Sequence, residues 1–422
     1  MTINAKSEAG FTMIEALVAT AIMVIVTAGV FSVLNPSQGI FQTQPEVSDM
    51  QQRLRVGVDQ LKHDLMNAGA GSYSGLNSAS SISAQQVGSL INYFAPIWPS
   101  SQGADPTIDQ PPGTFTTDRI TIIYVPSTGA QTTVKTDMAS TSASIYVNTE
   151  SGCPQVNGVV DPLCGFKAPP DPPTKAAIYD GTGAFDTFVV TARDESAQTL
   201  DLQHTQNGGA LSKAYKGTSS VNFTRVAEIA YHVYYLNAPT KQLMHYDGLS
   251  TATPVLDNVV GLRFDYYGDP QAPVRMKPDS ATDRTATYGP TPPDPGVPAP
   301  SGSPWATGEN CTWQMSGGTQ VTKLASLGVG TGLVQLTSSQ LTDGPWCPDG
   351  TNSNKYDADL FRIRKIRVTL RLQTGNDSLR AAVSQGQTAL FTNAGTSKNT
   401  SRAIPDQSIR FDVTPRNMNL GR

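Results

Sequence analysis

The chain has 422 residues, a formal net charge of −4 and only 15 % charged residues, so it has no basic excess of the kind that nucleic-acid binding draws on. That length allows one large or two ordinary domains. Its 37 glycines and 30 prolines, with abundant serine and threonine, point away from a cytosolic enzyme and toward an extracytoplasmic, loop-rich β protein.

The N-terminus carries the most specific signal. Gly10-Phe11-Thr12-Met13-Ile14-Glu15 opens an apolar run that reaches Leu34, and Glu15 is the only ionisable side chain from Phe11 to Leu34. At 1.5 Å per residue these 24 residues span about 36 Å as a helix, enough for a hydrocarbon core of roughly 30 Å. A carboxylate within such a span costs a few kcal/mol, so Glu15 is expected to have a partner. A secretory signal peptide is excluded, because the apolar run is too long and the candidate processing residue, Gly10, precedes it.

Gly-Phe-Thr-Met-Ile-Glu followed by some twenty apolar residues resembles the class III signal of type IV pilins and type II secretion pseudopilins. The resemblance implies a leader at residues 1–10, cut by a prepilin peptidase between Gly10 and Phe11, methylation of the new N-terminal Phe11, and a transmembrane helix at 11–34. It assigns Glu15 to filament assembly and implies other major and minor pilins as partners through the N-terminal helix. It also implies an inner-membrane, single-pass state with a cytoplasmic N-terminus and a periplasmic head, then a pilus on the cell surface. Cleavage removes Lys6 and Glu8 together and leaves the charge balance unchanged. The chemistry agrees: an amine at Phe11 of one subunit and Glu15 of its neighbour relieve each other's desolvation, and removal of either strands the other.

Asn35-Pro36 and Pro45 predict a kink or break, since each proline removes a helical hydrogen bond. A kinked amphipathic stalk over 35–71 follows, in which Val47, Met50, Leu54, Val58, Leu61 and Leu65 draw one apolar stripe at spacings of three and four. Asp49/Arg53 and Arg55/Asp59 sit four residues apart on the wet side, and the helix is expected to stop in Ala68-Gly69-Ala70-Gly71-Ser72, where glycine supplies the C-terminal cap.

Residues 72–422 read as a β-rich head, and the whole as α+β and pilin-like. Strands are predicted over 119–125, 185–191, 199–204, 228–236, 243–246, 255–267, 333–337, 361–372 and 408–413. Val255–Phe264 and the closing Phe411–Leu420 resemble head strands and the C-terminal tail of PilW-type minor pilins. In the strand 361–372, Arg362, Arg364, Arg367 and Arg371 mostly alternate with apolar residues, which predicts a solvated basic face with a bulge at Lys365. With Arg380 this is the only concentrated positive feature; a surface strand beside acidic neighbours accounts for it better than nucleic acid does.

Gln85–Asp118 and a Pro-rich stretch at 269–304 look like additions, the second opening an insertion over about 269–358. Cys153, Cys164, Cys311 and Cys347 are an even count and read as disulfides outside the cytoplasm. Three connectivities are open, and sequence proximity favours Cys153–Cys164 with Cys311–Cys347. Zinc is not expected at the cysteines, which lack CxxC spacing. Asp349, Asp357 and Asp359, with Asp343, Asn352 and Asn354, offer calcium the oxygen ligands it uses, but without EF-hand spacing; a solvated acidic loop is the simpler account, and no cofactor is expected. Trp98, Trp305 and Trp346 are read as exposed in loops, where adhesion or subunit contacts could use them, although local packing is the more usual role of each. His232 and His245 are read as facing each other across a hairpin on a solvated face. Gly328–Gly332 lacks the strand–loop–helix context of a dinucleotide site. No GxSxG, HExxH or P-loop occurs, so an enzyme is not expected. The expectation is a structural minor pilin; a minor type II secretion pseudopilin and a pilin-stemmed adhesin are the alternatives.

Overall fold

The computed structural model describes residues 10–70, 95–101, 110–126, 130–150, 153–180, 184–204, 210–217, 224–248, 251–272, 305–306, 308–380 and 404–419. The leader before Gly10, most of the stretch 85–118 before Gln110, and the Pro-rich residues 273–304 lie outside them.

One helix, Met13–Asn67, runs unbroken for 55 residues. The break expected at Pro36 and Pro45 does not occur. An interior proline costs about 3 kcal/mol by removing one bond, yet it leaves the ladder on either side intact. Over Met13–Ser32 the helix is apolar and wholly exposed. Its second half is the reverse: Met50, Leu54, Leu61, Leu65 and Ala68 are buried in the main core, with Val47 and Val58 packed against it. The stripe therefore faces the head, as the periodicity requires. Gly57 lies in the same face, where a Cβ would come within 3.1 Å of the Leu256 side chain. Asp49 and Arg53 pair at 2.5 Å on the outer side. The helix ends at Gly69, whose φ of 71° is the left-handed conformation that glycine adopts freely. The Gly69 N–H then donates to the Ile123 carbonyl of the head.

Three antiparallel sheets form the rest of the core. The first has five strands in the order Ile97–Trp98, Arg119–Tyr124, Ala230–Asn237, Gln242–Tyr246 and Thr253–Asp257. The second has six, in the order Gln131–Thr133, Arg225–Glu228, Lys175–Tyr179, Phe185–Asp194, Thr199–His204 and Ile145–Tyr146. The third has four: Val334–Leu336, Val259–Gly268, Ile363–Leu372 and Gln407–Val413. The helix touches the first and third sheets, against Arg119–Tyr124, Thr253–Asp257 and Gln407–Val413. The six-stranded sheet buries its own second cluster, including Phe166, Phe188, Val190, Leu200 and Tyr215.

Two of the predicted strands are each two strands that pass from one sheet to another. The run 228–236 divides at Ile229, and the run 255–267 divides at Asn258, which takes φ 59°. Asparagine tolerates that left-handed conformation better than most residues. The strand pair Val259–Gly268 and Ile363–Leu372 is the backbone of the third sheet, and the chain leaves it and returns between them. The register slips where Tyr267 faces Lys365 and Gly268 faces Ile363, so the bulge sits at Arg364, one residue before the predicted position. Cys153–Cys164 and Cys311–Cys347 are the two disulfides, the pairing that proximity favoured.

Leu65 is fully buried in the helix–head contact, whereas Val56 on the same helix is 62 % exposed. Leu65→Ala is expected to cost about 2–5 kcal/mol. Val56→Ala should stay within about 0.5 kcal/mol. Chemical denaturation of the full chain in detergent, followed by tryptophan fluorescence, measures both.

Candidate functional site

At the N-terminus, Gly10 has no neighbour within 4 Å of a built Cβ, and Phe11 is 91 % exposed. Both precede the helix, so the Gly10–Phe11 bond lies in non-helical backbone. Thr12 is the N-cap, in extended conformation with ψ 151°. The Glu15 N–H donates to Thr12 Oγ1 at 3.3 Å, while the Thr12 N–H donates to Glu15 Oε2 at 2.9 Å. The Thr12 hydroxyl also donates to Glu15 Oε2, at 2.8 Å. This is a capping box, in which each residue satisfies the other's orphan donor. Glu15 thus has neutral hydrogen-bond partners within its own chain, and its charge has no cation among them. The Thr-x-x-Glu spacing that signals it stands in the sequence, inside the processing motif itself.

Several of the other sequence-predicted residues are placed differently from expectation. The basic face of the strand Ile363–Leu372 is solvated only in part: Lys365, Arg367 and Thr369 are half-exposed. Arg362, Arg364 and Arg371 are buried. Arg364 Nε pairs with Asp269 at 2.7 Å, and Arg362 pairs with Asp359 while also donating to the carbonyls of Asp269, Pro270 and Ala325. Lys365 and Arg367 both pair with Asp412, and the Arg367 guanidinium holds the Asp412 carboxyl down at about 2. Arg380 donates to the carbonyls of Thr374 and Gly375. These cations are bound to carboxylates and carbonyls of their own chain and do not form a phosphate-facing row.

The three oxygen-rich candidates also have structural partners. Asp349 Oδ1 accepts from Thr351 and Asn352 in a local turn. Asp357 is buried and accepts from the Gly344 N–H at 2.6 Å and the Asp359 N–H at 2.8 Å. Asp359, also buried, faces Arg362. Burial pushes the Asp357 carboxyl up to about 7, with Asp359 and Asp343 adding to the effect.

A carboxyl whose folded value is raised stabilises the fold fully below its unfolded value. That stabilisation is lost as pH rises through the folded one. Stability of the head is therefore expected to fall between about pH 4 and pH 7 by a few kcal/mol from this residue. Asp357→Asn should flatten that slope in melts recorded across the window; an unchanged slope would remove Asp357 as its source.

The tryptophans are packed locally and are not free for contacts. Trp98 is 5 % exposed, lies in a strand, and packs edge-on against Phe185 and beside Tyr356. Trp305 packs on the main core with the Lys323 ammonium 4.5 Å over its ring. Trp346 carries Lys355 at 5.2 Å and lies against Gly113.

His232 and His245 do meet across their hairpin, with Nδ1 of the first 2.7 Å from Nε2 of the second. Their surroundings were not legible locally: they lie on the helix-facing side, beside Asp64 of the helix and under the hydroxyls of Tyr124 and Tyr234. Burial pushes His232 down to about 4 and lowers His245 as well, which favours the neutral imidazole at both.

Comparison with known proteins bears on the first of these regions. A family model, the prokaryotic N-terminal methylation motif, matches residues 5–31. No curated protein and no solved structure matches the chain. The motif and the exposed apolar helix that follows it support a type IV pilin-like prepilin signal at the N-terminus, which indicates a pilin-like or pseudopilin-like precursor.

Proposed function

We propose that this chain is a minor type IV pilin. In this reading it is held N-in in the inner membrane, cut by prepilin peptidase between Gly10 and Phe11, methylated on Phe11, and built through its helix into a filament at or near the tip. The observation that carries the reading is the division of the single 55-residue helix. One half presents an unburied apolar surface over Met13–Ser32, and the other is sunk into the head along Met50–Ala68. A surface of the first kind is stable only in lipid or against other apolar helices. A filament core supplies such helices once the subunit leaves the membrane. The role is assembly and interaction, without catalysis and without a cofactor in the processing motif.

Mass spectrometry of the N-terminal peptide tests this, from membranes and from filaments sheared off cells. A peptide beginning at methylated Phe11 in the filament fraction is the expected result. A chain still beginning at Met1 and confined to the membrane would overturn processing and incorporation together. A processed peptide absent from filaments, with loss of protein secretion on deletion, would move the chain to the pseudopilins.

A further inference from the structure

A polar cluster near the C-terminal end of the helix ties it to the head. Asp64 is a buried carboxylate on the otherwise apolar stripe. Its Oδ2 accepts from Tyr234 Oη at 2.5 Å, and its Oδ1 accepts from Tyr124 Oη at 3.3 Å. His232 Nδ1 stands 3.9 Å from Asp64 Oδ2 and 2.7 Å from His245 Nε2. One carboxylate oxygen and two imidazole nitrogens therefore converge, all within 4.8 Å of one another.

We propose that Asp64, His232 and His245 form a binding site for a divalent transition ion of the zinc class, which fastens the stalk helix to the head. Zinc takes imidazole nitrogens and carboxylate oxygens at about 2.0–2.2 Å, so tetrahedral ligand atoms stand roughly 3.3 Å apart. Separations of 2.7 and 3.9 Å bracket that value and differ from it by about 0.6 Å in opposite senses, within reach of small ring rotations.

The surroundings suit the donor set. Metal at His232 Nδ1 requires its proton on Nε2, and Tyr124 Oη lies 3.2 Å from Nε2, itself bonded to Asp64 Oδ1. That chain selects the ligating tautomer, as a hydrogen-bond partner beyond a metal ligand commonly does. Tyr234 orients the carboxylate from the other side. Imidazole and carboxylate together favour zinc and its first-row neighbours over calcium, which prefers six or more oxygens. Three protein ligands leave the fourth position for water. His232 and His245 are both partly solvent-exposed, which gives an ion its way in. Because Asp64 comes from the helix and the histidines come from two paired strands of the five-stranded sheet, bound metal would cross-link elements about 170 residues apart in sequence.

The test uses the untagged full-length chain in detergent, stripped with a chelator. Titration calorimetry with Zn²⁺ is expected to show one equivalent bound, with Ca²⁺ giving none, and Zn²⁺ should raise the melting temperature. His245→Gln and Asp64→Asn should each weaken Zn²⁺ binding at least tenfold and abolish the shift. His63→Gln, at an exposed neighbour of Asp64, should leave the one-equivalent binding in place. Absence of stoichiometric binding to the wild-type chain, or affinity unchanged in both ligand variants, would overturn the site. Should those variants fail to fold, X-ray absorption of the wild-type zinc complex decides: two imidazoles in the coordination shell support the site, and none refutes it.

Discussion

Arg362→Ala is expected to cost the head about 3–5 kcal/mol, the loss typical of removing one partner from a buried ion pair. Arg362 is fully buried, and its guanidinium is divided among Asp359 and the carbonyls of Asp269, Pro270 and Ala325. Asp269 and Pro270 begin the excursion that follows Val259–Gly268, and Arg362 stands where the chain enters Ile363–Leu372. Arg364 repeats the arrangement, with Nε on the Asp269 carboxylate and a second nitrogen on the carbonyls of Phe361 and Ile363. The two arginines close the neck of the excursion, and truncation of Arg362 removes a donor from a carboxylate and three carbonyls, of which Pro270 still accepts from the Leu327 N–H. Arg362→Lys should recover little, because an ammonium is a point charge that cannot reproduce the fork. Arg362→Met combined with Asp359→Leu should recover more, since the stranded charge goes with its partner. Urea denaturation of the three variants measures this, with proteolysis around 325 as a local readout. A loss below about 1 kcal/mol for Arg362→Ala would show the cluster to be dispensable.

The same strand shows where sequence reading ends. Alternation of Arg362, Arg364, Arg367 and Arg371 with apolar residues states that the two faces of a strand differ, but not that the polar face is wet. The groups that neutralise Arg362 and Arg364 include Asp269 and Pro270, more than ninety residues away, and nothing local announces them. The processing motif was legible because it is contiguous, and the stripe from Val47 to Leu65 because helical periodicity is local. The nine predicted strands have strands at their positions, but their assignment to three sheets was not legible, since pairing is long-range and two runs cross between sheets at Ile229 and Asn258. Lys175–Tyr179, central in the six-stranded sheet, has two alanines and follows prolines, so it carries little strand signal. Other features were legible and missed. Thr12-x-x-Glu15 spells a capping box. Asn157-Gly158 between Val156 and Val159 spells a two-residue hairpin, with φ values of 53° and 79°. His232 and His245 were paired correctly, yet their third neighbour lies on the helix, far upstream.

Glu15→Ala is expected to leave cleavage after Gly10 intact and to abolish incorporation into filaments, which is the largest functional effect anticipated for any single residue. Two roles of Glu15 would give that result, and the capping box separates them. Glu15 Oε2 accepts from the backbone and hydroxyl of Thr12, so the side chain closes the first turn of the helix as well as carrying a charge. Glutamine serves a capping box as glutamate does but has no charge to offer an amine at a neighbour's Phe11. Glu15→Gln therefore keeps the first turn and removes the ion pair. If the charge is the assembly determinant, Glu15→Gln fails to enter filaments as completely as Glu15→Ala, and the processed subunit stays in the membrane. If the cap is the determinant, Glu15→Gln assembles while Thr12→Val, which loses the hydroxyl but keeps the glutamate, does not. The charge reading is favoured by energetics. Loss of one capping contact costs about 1 kcal/mol, whereas a carboxylate or ammonium left alone in hydrocarbon costs about 3 kcal/mol even on the gentler insertion scales. Quantifying the mature Phe11 peptide in sheared filaments and in membranes for the three variants decides between them, and normal incorporation of Glu15→Gln would sink the ion-pair account.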